Sequence, residues 1–313
     1  MRATIALLVA AAISQTHPAI GQFGSGAYLV YELPTGDLPD VHDGSIAEWE
    51  YLVPNASLTI YDFAQMVGIT GTLGSDDLLS ADDLAAQVYL GWNGDTQRLY
   101  FAIERVDDVY INAFDGTGPL GPASGVYNQD SAEFLVDGDH SGGEYGAYWD
   151  CSGTDATEEC FESSQQQAQQ YQLIAQSLDD RLIYLVNQRK DWASLLPWAD
   201  AGGAQAGEAP NHSVIEGYVT PWDELSLEGP ERSRASQLAA GRFIGFQVSL
   251  LDFDEQPGKL HAYFTVEGQS EAWHLADRFV DGLLLSCPDG DCSQAQGSAV
   301  VPDSWARIKA TFR

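Results

Sequence analysis

The sequence predicts an all-β protein, an antiparallel β-sandwich of jelly-roll type with loop insertions. Three observations lead there. Short apolar, aromatic-rich runs recur along the chain. Gly, Pro and Asp turns separate them, with Gly alone at 31 residues. Long helical periodicity is scarce, and many short strands between such turns are the pattern of a sandwich or jelly roll. With 44% hydrophobic and 11% aromatic residues, the chain can build a substantial core.

The first element is Met1-Arg2, an apolar run from Ala3 to Ile13, and small residues at Ala19 and Gly21. A basic start, an apolar stretch too short to span a bilayer and small residues at a cleavage point predict a secretory signal over residues 1–21. Residues 22–36 form an N-terminal lead, and residues 37–313 a single sandwich domain. The expected location is secreted or periplasmic. No second segment has spanning length, so no membrane insertion of the mature chain is expected.

The strands follow in order. Ala86–Trp92 and Arg98–Glu104 flank Asn93-Gly94-Asp95 and read as a hairpin. Further strands are expected over Ser131–Val136, Tyr171–Ala175, Leu182–Asn187, Ser213–Val219, Phe243–Leu251, Leu260–Val266, Leu283–Leu285 and Ala306–Phe312. Between them, Thr59–Leu84, His140–Ala168 and Gln188–Asn211 read as insertions. Ser80 to Asp83 suits the start of a short helical turn, and Leu225–Gly241 has room for a short helix.

The formal net charge is -32, with Lys only at Lys190, Lys259 and Lys309. That field repels nucleic acid, whose phosphates need basic side chains. Two readings of it stay open: solubility in a salty medium, where salt screens self-repulsion, and divalent-cation binding. The cysteines are Cys151, Cys160, Cys287 and Cys292. An even number in an exported chain, closely spaced in pairs, predicts disulfides Cys151–Cys160 and Cys287–Cys292. The alternative, a zinc site, lacks matching spacing and a nearby His.

Asp137-Gly138-Asp139-His140-Ser141-Gly142-Gly143 has oxygen donors at alternate positions followed by Gly, as at the start of a calcium loop. Asp137, Asp139 and Ser141 are therefore candidate calcium ligands. The last position of a full loop falls on Tyr148, so a plain polar turn is the competing reading. Asp252 and Asp254 suit either turn residues or cation ligands. No nucleophile elbow, phosphate loop or helical metal pair of histidines is present. No enzyme activity and no organic cofactor are expected. Haem ligation is disfavoured by a single mature Met, Met66, and no haem-attachment motif. A carboxylate pair for glycoside hydrolysis is neither excluded nor identifiable among so many acids.

Six segments in order resemble the family-9 carbohydrate-binding modules and their exported relatives. They are Val41-His42-Asp43-Gly44-Ser45-Ile46-Ala47-Glu48-Trp49; Val88 to Asp108; Gln129-Asp130-Ser131-Ala132-Glu133-Phe134-Leu135-Val136-Asp137; Ile215 to Trp222; Ile244 to Asp252; and Trp273 with Phe279 and Gly282 to Leu285. The resemblance covers about residues 37–286. It implies a β-sandwich that holds a sugar or glycan end between two aromatic rings, here Tyr127 and Trp273, with Glu133 bonding hydroxyls. It also places Gln172 where the family has a basic residue, and Ser249 and Ser270 where it has amides. These departures remove a charge-assisted donor. The function implied is non-catalytic carbohydrate binding. The alternative is a structural or protein-interaction surface protein on the same fold with a degenerate site. For Tyr127 and Trp273 the plainer reading is core or rim packing, since most large aromatics are packed.

Overall fold

A computed structural model of the protein describes residues 27–53, 55–66, 83–146, 151, 156–177, 180–206 and 209–287. The strands are β1 (Tyr28–Glu32), β2 (Phe63–Gln65), β3 (Leu84–Asn93), β4 (Arg98–Asp107), β5 (Ser131–Asp137), β6 (Gln169–Leu173), β7 (Ile183–Leu185), β8 (Ala199–Ala206), β9 (Asn211–Val219), β10 (Trp222–Glu224), β11 (Arg234–Ala235), β12 (Phe243–Asp252), β13 (Ala262–Val266) and β14 (Val280–Leu285). Helices are one or two turns long, among them α1 (Trp49–Leu52) and α2 (Pro122–Val126).

Twelve strands join in one sheet of order β7-β6-β5-β12-β14-β1-β3-β4-β9-β8, with β13 on β12 and β2 on β13. β10 and β11 form a separate ribbon. The mostly-β class is as the sequence predicts, but the purely antiparallel sandwich is not what the chain forms. β1 runs parallel to both its neighbours, β14 and β3. A parallel pair needs a long crossover, and residues 33–83 supply it between β1 and β3. The single mixed sheet rolls up until β7 and β8 at its two ends approach each other, so it is nearly a barrel. Tyr28–Glu32, placed by sequence in the N-terminal lead, thus lies in the middle of the sheet.

Alternation builds the interior. Ala132, Phe134 and Val136 of β5, Ile244, Phe246, Val248 and Leu250 of β12, and Leu99, Phe101 and Ile103 of β4 share one core. Phe101 stacks on Phe134 from the opposite arm, ring centroids 5.1 Å apart. One end of that core is plugged by Arg105. It donates to Leu251 O at 2.7 Å and Asp130 Oδ1 at 2.6 Å, and is bound to Asp107 and Asp252. The outer face of β3, β4 and β9 is covered by the chain around α1. Trp49 Nε1 donates to Glu216 Oε2 and Ser45 N to Glu216 Oε1, both at 2.9 Å. Gly44 adopts φ +67°, and a Cβ there would lie 2.5 Å from Ala204 Cβ.

The Asn93–Gly94 hairpin forms, with a four-residue turn from Gly94 to Gln97 between paired Asn93 and Arg98. Gln188–Asn211 is not simply a loop: it contains a 3-10 helix, Gln188–Ser194, and β8. β8 reads Ala-Asp-Ala-Gly-Gly-Ala-Gln-Ala and lacks every β-branched signal. It is held by its ladder to β9. Pro230–Arg232 is one 3-10 turn within the segment expected to hold a helix. Cys151 and Cys160 are disulfide-bonded, Cα atoms 5.5 Å apart. Cys287 is also disulfide-bonded. Cys292, residues 1–21, Ser80 to Asp82 and the strand expected over Ala306–Phe312 lie outside the described residues. No helix among the described residues is long and apolar enough to cross a membrane.

Candidate ligand-binding site

Successive residues of a strand face opposite ways. The residues of β5, β6, β12 and β13 that do not enter the core therefore share the outer face. On it lies a polar row in direct register: Gln172, Glu133, Ser249 and Thr265. Gln170, Gln247 and Tyr263 flank it. Such a face is ordinarily solvated, yet Gln172 is 1%, Glu133 3%, Ser249 0% and Tyr263 7% exposed.

Two small apolar clusters cover the row. One joins Leu135, Tyr145, Ala168, Ala272, Ala276 and Phe279. The other joins Met66, Leu251, Phe253 and Tyr263, with Tyr127 and Trp273 half-buried against it. The cover is stitched by backbone: Tyr145 N donates to His274 O at 3.0 Å and Ala276 N to Gly143 O at 2.8 Å. Tyr145 Oη donates to Ala272 O at 2.7 Å.

Beneath the cover, Glu133 collects the donors. Gln172 Nε2 donates to Oε1 at 2.5 Å and Gln170 Nε2 at 3.0 Å, while the Tyr263 hydroxyl donates to Oε2. Burial pushes the Glu133 carboxyl above its usual range, and these hydrogen bonds partly offset it. Burial, then the Glu133 charge, raise the Tyr263 hydroxyl as well. The far ends of both amides, Gln170 Oε1 and Gln172 Oε1, are buried with no hydrogen-bond partner. Two orphaned acceptors on one strip are costly, and they are the polar atoms that a hydroxyl-bearing ligand would satisfy.

The sequence candidates therefore fall together in part. Glu133, Gln172 and Ser249 lie in one row. Tyr127, the residue just after α2, and Trp273 both pack against the Tyr263 cluster. Ser270 is half-buried in the same loop as Trp273. Trp273 packs on His274, ring centroids 4.1 Å apart. Sequence reasoning missed Gln170, Tyr145 and Tyr263. Tyr263 was readable in principle, because Ala262, Phe264 and Val266 alternate with it. Gln170 was not, because a run of glutamines looks like a polar loop.

The Asp137 loop is a closed polar turn. Asp137 Oδ2 accepts from Gly142 N at 2.7 Å and Oδ1 from Ser141 N at 3.2 Å, and Asp139 Oδ1 also accepts from Ser141 N at 3.2 Å. Burial is the main cause that pushes Asp137 up to about 6.

No protein-family model matches the chain, and no curated protein matches it. Among solved structures, the chain is similar to a family-9 carbohydrate-binding module from Caldicellulosiruptor kristjanssonii in complex with glucose. The TM-score is 0.49 at 13% identity, covering 82% of this chain and 96% of that one. The same module with cellotriose gives 0.49 and 13%, covering 82% and 94%. A Bacteroides uniformis ATCC 8492 protein described as carbohydrate-binding gives 0.40 and 11%, covering 82% and 98%. Residue roles in this chain accordingly rest on its own geometry.

Proposed function

We propose that the protein is exported and binds carbohydrate without transforming it. A sugar or glycan end is held at Tyr127 and Trp273, above the polar row of Glu133, Gln172 and Ser249, with Ser270 beside the second ring. The observation that carries this reading is the pairing of one buried polar strip, with two orphaned amide oxygens, and two half-buried rings on the same apolar cluster. Sugars need both surfaces, since their C–H faces pack on rings while their hydroxyls need partners at the edge. Calorimetry of the mature protein against simple sugars, soluble glucans and xylans tests it, with Trp273→Ala alongside. Binding to wild type that falls at least about tenfold in the variant, roughly 1.4 kcal/mol, is expected. Wild-type binding unaffected by the variant refutes the ring pair. Release of reducing sugar would refute the non-catalytic reading.

A second reading, a structural or protein-interaction protein with a degenerate site, is favoured by Glu133, Gln172 and Ser249 being 3% exposed or less. A row so closed needs its cover to part before a sugar reaches it. Absence of binding to every saccharide, with a folded wild type, selects this reading. Calcium at Asp137, Asp139 and Ser141 is a separate proposal. The ion would have to take Asp137 from the Ser141 and Gly142 amides, and melting with and without calcium tests it.

A further inference from the structure

At the end of the barrel plugged by Arg105, four side chains outside the polar row converge. Asp83 precedes β3, Asp252 ends β12, Asp254 follows it, and His261 precedes β13. One carboxylate oxygen from each aspartate and one His261 ring nitrogen all lie within 4.8 Å of one another. Metal bonds to nitrogen and oxygen donors are about 2.0–2.2 Å, so a single ion would draw these atoms inward by a few tenths of an ångström to bind them all.

A second observation points to a ligand. Asp252 is 0% exposed, and its Oδ2 makes no hydrogen bond. Asp254 Oδ1 and His261 Nδ1 are likewise buried without one. Yet His261 Nδ1 stands 3.2 Å from Asp252 Oδ2 and closer still to Asp254 Oδ2. Polar atoms thus crowd together at ion-pair distance with no aligned hydrogen bond between them. The surrounding charge has the same sign. Asp107 and Asp130 also face Arg105, so one guanidinium stands among several carboxylates.

We infer that Asp83, Asp252, Asp254 and His261 bind one divalent transition-metal ion, of the zinc or manganese type. An imidazole nitrogen among carboxylates suits a borderline ion better than calcium or magnesium, which take oxygen throughout. The ion pins the turn between β12 and β13 to the start of β3. Phe253 and Leu260, on that turn, pack in the cluster that also holds Tyr127 and Trp273, and Gly258 N donates to Asn128 O at 2.9 Å. The metal is therefore structural, and its binding is measurable whether or not a sugar binds.

The test is calorimetric titration of the metal-stripped full mature chain with Zn²⁺, Mn²⁺ and Ca²⁺. His261→Ala and Asp254→Asn are compared with wild type, and Glu231→Gln, on an exposed turn outside both proposed sites, is the control. One equivalent of Zn²⁺ or Mn²⁺ is expected to bind and raise the melting temperature. Each site variant should lose at least tenfold in affinity, and the control should lose none. The Co²⁺-substituted protein should show visible absorption bands that His261→Ala shifts. Failure of wild type to bind Zn²⁺ or Mn²⁺ would overturn the inference. Zn²⁺ or Mn²⁺ binding unchanged in both site variants would overturn it too.

Discussion

Glu133 separates folding from binding when replaced in two ways. Glu133→Ala strips the acceptor from three buried donors: Gln170 Nε2, Gln172 Nε2 and the Tyr263 hydroxyl. A buried group left unsatisfied costs about 1–3 kcal/mol. Three of them, partly relieved by removing a buried carboxylate, give a loss of roughly 3–5 kcal/mol. Glu133→Gln behaves differently. Its amide oxygen still accepts from the two glutamines, and the Tyr263 hydroxyl turns to accept from its nitrogen. Stability at pH 7 should stay within about 1 kcal/mol of wild type.

The pH dependence follows from the direction of the shift. Glu133 titrates above its usual value because of burial. A raised carboxyl favours the fold below its unfolded pKa, and that contribution fades as pH rises through the folded pKa. Glu133→Gln should therefore gain on wild type as pH rises above about 4.5. Sugar affinity should fall about tenfold, because a neutral acceptor replaces a charged one. Urea unfolding at several pH values and calorimetry read both quantities. A Glu133→Ala variant as stable as wild type would refute the hydrogen-bond account. A Glu133→Gln variant with undiminished sugar affinity would refute the role of the row in recognition.

Two further outcomes follow from buried charge elsewhere. Glu216 is pushed from its ordinary 4.5 to about 7, chiefly by burial. Wild type should thus lose up to roughly 3 kcal/mol between pH 4.5 and 7, at about 1.4 kcal/mol for each pKa unit, and Glu216→Gln should flatten that loss in a urea-melt series. A wild-type stability profile identical to that of the variant contradicts this. Arg105→Ala leaves Asp107, Asp130 and Asp252 facing one another at the end of the core. It should cost about 3–5 kcal/mol by chemical denaturation, whereas a loss under about 1 kcal/mol would show that the cluster is solvated.

What was legible in the sequence is what alternation writes. Ser-Ala-Glu-Phe-Leu-Val-Asp announces β5 and places Glu133 on the face opposite Phe134, because period two leaves no other arrangement. The hairpin of β3 and β4 was equally plain from its two apolar runs about Asn93-Gly94. What could not be read depends on partners distant in the chain. β1 is five residues of ordinary strand sequence, and nothing in Tyr-Leu-Val-Tyr-Glu says that both of its neighbours run parallel. β8 is small and flexible in composition, so only β9 makes it a strand.

The candidate site divides along the same line. Polar residues on one face of β5, β6, β12 and β13 read as a solvated surface or as a binding face, and strand pattern cannot distinguish these. The deciding fact is the cover, built from Tyr145, Ala272 and Ala276 on loops more than a hundred residues apart in the chain. Once covered, the row is held to a stricter rule than a surface. Each donor and acceptor must find a partner or destabilise the fold. Glu133 satisfies that rule for three donors, while Gln170 Oε1 and Gln172 Oε1 do not. A strip built only for packing would be cheaper as leucine or valine. Its polarity, kept under a cover whose edge carries Tyr127 and Trp273, is therefore the strongest physical reason to look for a ligand there.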